Sequence, residues 1–146
     1  MDTLDIIHKC AAETRRWAEA NANNTQRERE LWGMCARASA HLVVRLRANG
    51  LDAVVHVAKV PYGGHAFVEV GEYIVDVTAT QFSEWLDQHY KPIEVFPAAH
   101  RYHAGQAWSG VIHKTYKRPM ALRAWQVATG WPPEQTVQHG DLTIEA

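Results

Sequence analysis

The hydrophobic period changes at Asn49-Gly50, and that change limits the folds open to this chain. Upstream, Cys35, Ala38, Leu42 and Leu46, with Val43 beside them, recur at the three- and four-residue spacing of one helix face. Downstream, residues 53–60, 65–70 and 73–77 alternate apolar and polar side chains and are rich in β-branched and aromatic types. Gly71-Glu72 separates the last two runs by a tight turn, which predicts an antiparallel hairpin. Helices first and strands afterwards is an α+β pattern, with the helix that begins at Cys35 packed on an antiparallel β-sheet.

The flanking segments fit the same plan. Asp2 or Thr3 can cap a first helix reaching about Ala20, with Leu4, Ile7, Ala11, Thr14 and Ala18 on one face. Asn21-Ala22-Asn23-Asn24 breaks it, and Thr25 to Glu28 reads as a capping box opening a short helix that ends near Leu31-Trp32. Gly33 interrupts before the Cys35 helix, which Asn49-Gly50 stops. Pro61-Tyr62-Gly63-Gly64 reads as a turn. Further along, 83–87 suggests a helical turn, 93–96 and 108–113 short strands, and 120–127 a short helix or strand; from Trp131 onward the chain is expected to lie over the surface. Repeats and linkers are absent, so residues 1–146 read as a single domain.

Composition narrows the function classes. The chain has 146 residues, of which 47% are hydrophobic and 21% charged, an ordinary globular balance. Fifteen basic against sixteen acidic side chains argue against nucleic acid as a partner, because phosphate binding needs a basic excess or stripe. The small basic run from Lys114 to Arg118 is explained more cheaply as a solvated loop. Nothing approaches about 18 consecutive apolar residues, so no membrane span is expected. The first residues lack the basic and apolar regions of a secretory signal. Cys10 and Cys35 are too few for a disulfide framework and suit a reducing cytosol, or delivery to a target cell without a cleavable signal.

The candidate chemistry is a thiol, an imidazole and a carboxylate in the order Cys35, His65, Asp76. A free cysteine, with pKa ~8.5, is mostly protonated at neutral pH, and a helix N-terminus or a neighbouring imidazolium shifts it toward thiolate. Cys35 follows Gly33-Met34 at a predicted helix start, where glycine lets a substrate backbone approach closely. His65 stands behind two glycines at the start of a strand. Around a turn at Gly71-Glu72 it would come beside Asp76 after one slip of register or a bulge. Aspartate is disfavoured inside a run such as Tyr-Ile-Val-Asp-Val-Thr, so its presence there calls for a partner. Taken singly, each residue has a plainer reading: a small buried hydrophobe, a packed histidine, a turn aspartate. Their joint order and flanking glycines favour a nucleophile, its base and the base's orienter.

Gly33-Met34-Cys35, the helix end Leu46-Arg47-Ala48-Asn49-Gly50-Leu51-Asp52-Ala53, Gly64-His65-Ala66-Phe67-Val68-Glu69-Val70 and Val75-Asp76-Val77-Thr78-Ala79-Thr80-Gln81-Phe82 together resemble the core of the transglutaminase-like and papain-like cysteine enzymes. The resemblance spans roughly residues 30–82 and implies a Cys35–His65–Asp76 triad performing acyl transfer through a thioester. It also implies a protein or peptide substrate. The superfamily includes peptidases, transglutaminases, arylamine acetyltransferases and glutamine deamidases, and papain-like members occur as effectors and toxins. Two departures stand out. Where the papain branch carries an oxyanion-hole glutamine ahead of its cysteine, this chain has Arg29, and the nearest glutamine is Gln26. The oxyanion donor is then the Cys35 backbone N–H, aided by Trp32 or Gln26. The aromatic after the histidine is Phe67 rather than the tryptophan common in transglutaminases, which disfavours protein cross-linking.

The remaining residues suggest scaffold. His100-Arg101-Tyr102-His103, with His113, lacks a cysteine or acidic companion, so no metal and no cofactor is expected. Trp85, Trp108, Trp125 and Trp131 read as core or groove lining, Cys10 as a buried filler, and Gln81-Phe82 as a packed turn that closes the strand. Two functions follow from different classes. One is a cysteine-dependent amide hydrolase, either a peptidase or a protein-glutamine deamidase. The other is a protein of papain-like fold that has lost turnover and binds and inhibits a host or partner protein.

Overall fold

A computed structural model describes residues 1–60, 63–83, 89–98 and 112–117. Helix α1, Thr3–Asn21, is opened by Asp2, whose carboxylate accepts from the Asp5 N–H while Asp5 reciprocates. Its buried face is Ile7, Cys10, Ala11, Thr14, Arg15 and Ala18, the predicted stripe with an arginine added and Leu4 only half-buried. Helix α2, Asn24–Glu28, begins two residues before the expected box. Asn23 is the cap and Gln26 its reciprocal partner, in place of Thr25 and Glu28. Asparagine is at least as good an N-cap as threonine, and the box needs only a glutamine or glutamate three residues on.

Helix α3, Cys35–Ala48, has the expected bounds. Its end is a Schellman motif: Gly50 stands at φ +80°, its N–H reaches Arg47 O at 2.9 Å, and the Leu51 N–H reaches Leu46 O at 3.0 Å. A side chain at Gly50 would force an L-residue into the left-handed region, so glycine sets the stop. Nine residues of α3, from Cys35 through Leu46, are buried, which makes it the central helix.

Five strands form one antiparallel sheet: β1 Ala53–Val60, β2 Gly63–Val70, β3 Tyr73–Asp76, β4 Glu94–Pro97 and β5 Ile112–Tyr116, in the order β4-β3-β2-β1-β5. Gly63 and Gly64 pair with Val60 and Lys59, so they belong to β2 rather than to the expected four-residue turn. Residues 112–116 continue the sheet, where a solvated loop was expected for the basic run. All but Ser83 of the helical turn expected at 83–87, residues 108–111 of the strand expected at 108–113, the element expected at 120–127, the histidines His100 and His103, and Trp85, Trp108, Trp125 and Trp131 lie outside the described residues, as does the side chain of His113.

Alternation along the strands divides the apolar side chains into two groups. Val55, Val57, Ala66, Val68, Val70 and Val75 join Ile7, Leu42 and Leu46 in the core between helices and sheet. Phe67, Ile74 and Ala58 join Ala79, Phe82 and Tyr90 in a second cluster. The architecture is thus α+β, helices packed on an antiparallel sheet. No described helix is long and apolar enough to cross a membrane.

Candidate functional site

Cys35 is the first residue of α3, and Met34 before it supplies no side-chain cap. Both other helices begin with a capping box, and α1 also has an acid in its first turn. At α3 the first turn carries no acid, so the positive end of the helix dipole faces Cys35 without a competing carboxylate. The approach to Cys35 is bent sharply: Glu30, Leu31 and Gly33 stand at φ +52°, +68° and +76°. Glycine meets that demand without cost, whereas glutamate and leucine do not.

The β2–β3 hairpin keeps the register expected for a two-residue turn, with Val70 opposite Tyr73 and Val68 opposite Val75. Neither a slip nor a bulge is needed to join His65 to Asp76. They are diagonal neighbours on one face, close enough for a long side chain to span. His65 Nε2 lies 2.6 Å from Asp76 Oδ2, and both residues are buried, at 0% and 1% exposure. The other carboxylate oxygen accepts from the Thr78 N–H at 2.9 Å, an Asx-type turn two residues on. Asp76 therefore has the partner that its place in a β-run called for.

Cys35 lies close enough to His65 to act on its ring, in the same direction as Asp76. Burial alone pushes the imidazolium down. The Asp76 carboxylate, by charge and hydrogen bond, outweighs that, with Cys35 adding in the same direction, and the ring is raised from 6.5 to about 10. The ring is held edge-on by Phe82, centroids 4.7 Å apart, and lies 6.1 Å from Phe67. Tyr90 belongs to the same cluster; burial, then Glu94 and Asp76, push its phenol up to about 12, so it stays protonated. Cys35 as a whole is 1% exposed.

Gln26 and Trp32 are not brought to this trio by any described hydrogen bond. Gln26 is buried, its Oε1 accepting from the Asn23 N–H in the α2 cap, and its Nε2 has no partner among the described residues. Trp32 is half-buried with the Arg29 guanidinium 5.6 Å from its ring. Cys10 lies in the main core on α1, where Asn49 Nδ2 donates to its sulfur at 3.5 Å. Burial, with Glu13 adding, pushes its thiol up against the weaker pull of Arg45 and Lys9. No group of three or more potential metal ligands occurs among the described residues.

One contributor, Arg15, escapes the sequence reading, and a second, Gln81, reads there mainly as part of a packed turn. Arg15, 7% exposed, donates through Nη1 to Val77 O at 2.9 Å, Thr80 Oγ1 at 3.0 Å and Pro92 O at 3.4 Å, and through Nε to Glu19 at 2.8 Å. Thr80 Oγ1 in turn donates to Glu30 O at 3.2 Å, so the arginine ties the turn after Asp76 to the bent segment before Cys35. Gln81, in the 3-10 turn Ala79–Phe82, accepts from the Gly33 N–H at 3.3 Å and lies against His65. An arginine beside the apolar stripe of the first helix is the available signal for Arg15; Gln81 reads in the sequence as closing the strand, with orienting the triad as its lesser alternative. Comparison of this chain with protein-family models, with curated proteins and with solved structures found no match.

Proposed function

We propose that this protein is a cysteine-dependent amide hydrolase of the papain-like and transglutaminase-like kind, acting on a peptide bond or a glutamine side chain. The observation that carries the reading is that one buried imidazole, His65, is hydrogen-bonded to Asp76 at 2.6 Å while Cys35, the first residue of α3, acts on the same ring. Asp76 occupies Nε2 and leaves Nδ1 for the sulfur's proton. In the reaction, with the proton of the thiol–imidazole pair already on His65, sulfur bonds to the amide carbonyl carbon. The tetrahedral intermediate then expels the amine, which takes the proton from His65, and leaves a thioester. Water, deprotonated by the same ring, attacks the thioester and releases the acid and the free thiol. The oxyanion rests on the Cys35 backbone N–H at the helix N-terminus.

A second reading, a papain-like protein that binds a partner without turnover, draws on the burial of Cys35, which is 1% exposed. Iodoacetamide labelling at about pH 6, read by peptide mass, separates the two. The hydrolase reading expects Cys35 to label faster than Cys10 and to lose that advantage in His65→Ala. Equal, slow labelling of both cysteines, indifferent to that substitution, would favour the binder. Incubation with candidate proteins then separates peptidase from deamidase, by fragments or by the small mass gain of an amide converted to an acid.

A further inference from the structure

The side chain of Gln81 is oriented by its neighbours. Gly33 N–H can only donate and lies 3.3 Å from Oε1, while Thr78 O can only accept and lies 3.0 Å from Nε2. Turning the amide over would set two donors against each other at Gly33 and two acceptors at Thr78. The NH2 end is therefore fixed, with Thr78 Oγ1 at 3.1 Å and His65 Nδ1 at 3.4 Å. The opposite ring nitrogen faces an acceptor, the Asp76 carboxylate, at 2.6 Å. Thus one side of the imidazole meets an acceptor and the other meets a donor.

We propose that Gln81 is the positioning residue that selects the proton-accepting form of His65, its amide N–H making Nδ1 the acceptor and so confining the neutral ring's proton to Nε2. This rests on Cys35 and His65 being nucleophile and base. The selected tautomer has its lone pair on Nδ1, and the amide N–H, held there at a long 3.4 Å, gives way when the thiol proton arrives. Once Nδ1 is protonated it meets the amide's donor end, so Gln81 also opposes a permanent imidazolium. Asp76 pulls the ring toward the charged form and Gln81 pulls it back, which eases return of the proton to a leaving amine. The same amide, through Oε1, holds Gly33 in the segment leading to the sulfur.

Two substitutions separate the electrostatic role from the mechanical one. Gln81→Glu keeps an acceptor for Gly33 but puts a carboxylate where the donor was. Gln81→Met is neutral and of similar length, and keeps neither. Nitrogen-15 NMR of the His65 ring in the full chain, followed over pH, reads tautomer and protonation directly and needs no turnover. The expected midpoint rises from the unsubstituted protein to Gln81→Met to Gln81→Glu, the last by at least about one unit. The neutral ring of the unsubstituted protein is expected to carry its proton on Nε2. Equal midpoints in all three proteins, or a neutral ring protonated on Nδ1, would overturn the proposal. Cys35 labelling that ignores His65→Ala sinks the hydrolase reading instead, and leaves the NMR result standing as a statement about the ring alone.

Discussion

The sheet carries two histidine–carboxylate pairs built alike. His65 on β2 meets Asp76 on β3 at 2.6 Å, and His56 on β1 meets Glu69 on β2 at 2.7 Å. Each pair spans neighbouring strands diagonally, and Phe67 lies between them, 6.1 Å from one ring and 5.8 Å from the other. The second ring nitrogen is engaged in both: by Gln81 at 3.4 Å in one, by the exposed Thr115 hydroxyl at 2.7 Å in the other. What differs is water. The side chains of the first pair are 0% and 1% exposed, those of the second 9% and 37%. A charge pair open to solvent gains little from its geometry, whereas a sealed one governs the protonation of both partners. The same cross-strand geometry therefore fastens β5, β1 and β2 at the rim, and sets the charge of a sealed imidazole where it lies near the start of α3.

Removing the sealed carboxylate is expected to have the largest effect. Asp76→Asn should lower the rate of thiol acylation by about 10²–10⁴-fold, as loss of the orienting acid does in triads generally. It should also erase the selective labelling of Cys35, as read by peptide mass. Stability against pH should change shape as well. In the unsubstituted protein His65 is raised from 6.5 to about 10, so its contribution to folding is full below pH 6.5 and is lost as pH climbs toward 10. Without the Asp76 charge, burial dominates and the ring is held below its unfolded value, so stability grows as pH rises through 6.5. Denaturant titrations across that range check the sign. A profile shared by both proteins would remove the distinction between sealed and open pairs.

Arg15→Met should come next, costing about 2–4 kcal/mol of unfolding free energy, because it leaves Val77 O and Thr80 Oγ1 without their buried donor. Chemical denaturation measures this, and a cost below about 1 kcal/mol would mean that the turn after Asp76 holds without the arginine. The smallest effect is expected at the rim. Glu69→Gln should cost less than about 1 kcal/mol and leave Cys35 labelling unaltered. A large loss there would show that the open pair is coupled to the sealed one through Phe67.

Local rules carried the sequence reading a long way. Periodicity and the Asn49-Gly50 stop located α3, and the two-residue turn at Gly71-Glu72 set the β2–β3 register. From these the trio Cys35, His65 and Asp76 could be named. The misjudged steps were those in which one residue could play two parts. Asn23 and Thr25 both suit a cap, and Gly63-Gly64 suits a turn or a strand. With those glycines paired in β2, Val54 stands opposite Glu69 and His56 meets it diagonally, a contact that needs the β1–β2 register to be seen. Arg15 was illegible for another reason: its acceptors Val77 and Thr80 lie 62 and 65 residues away, and no spacing rule reaches that far. Gln81 likewise gains its meaning from Gly33, 48 residues earlier.

The bend ahead of Cys35 places two ordinary side chains, Glu30 and Leu31, in the left-handed region, at about 1–2 kcal/mol each. Thr80 grips the Glu30 carbonyl and Leu31 is packed into the core, so the surrounding fold keeps the segment wound. Glycines at both positions would meet the same dihedrals at lower steric cost, so the winding itself does not require the strain. Part of this protein's stability is thus held back, like torque in a clamped rod, to keep the segment that leads into Cys35 in one conformation.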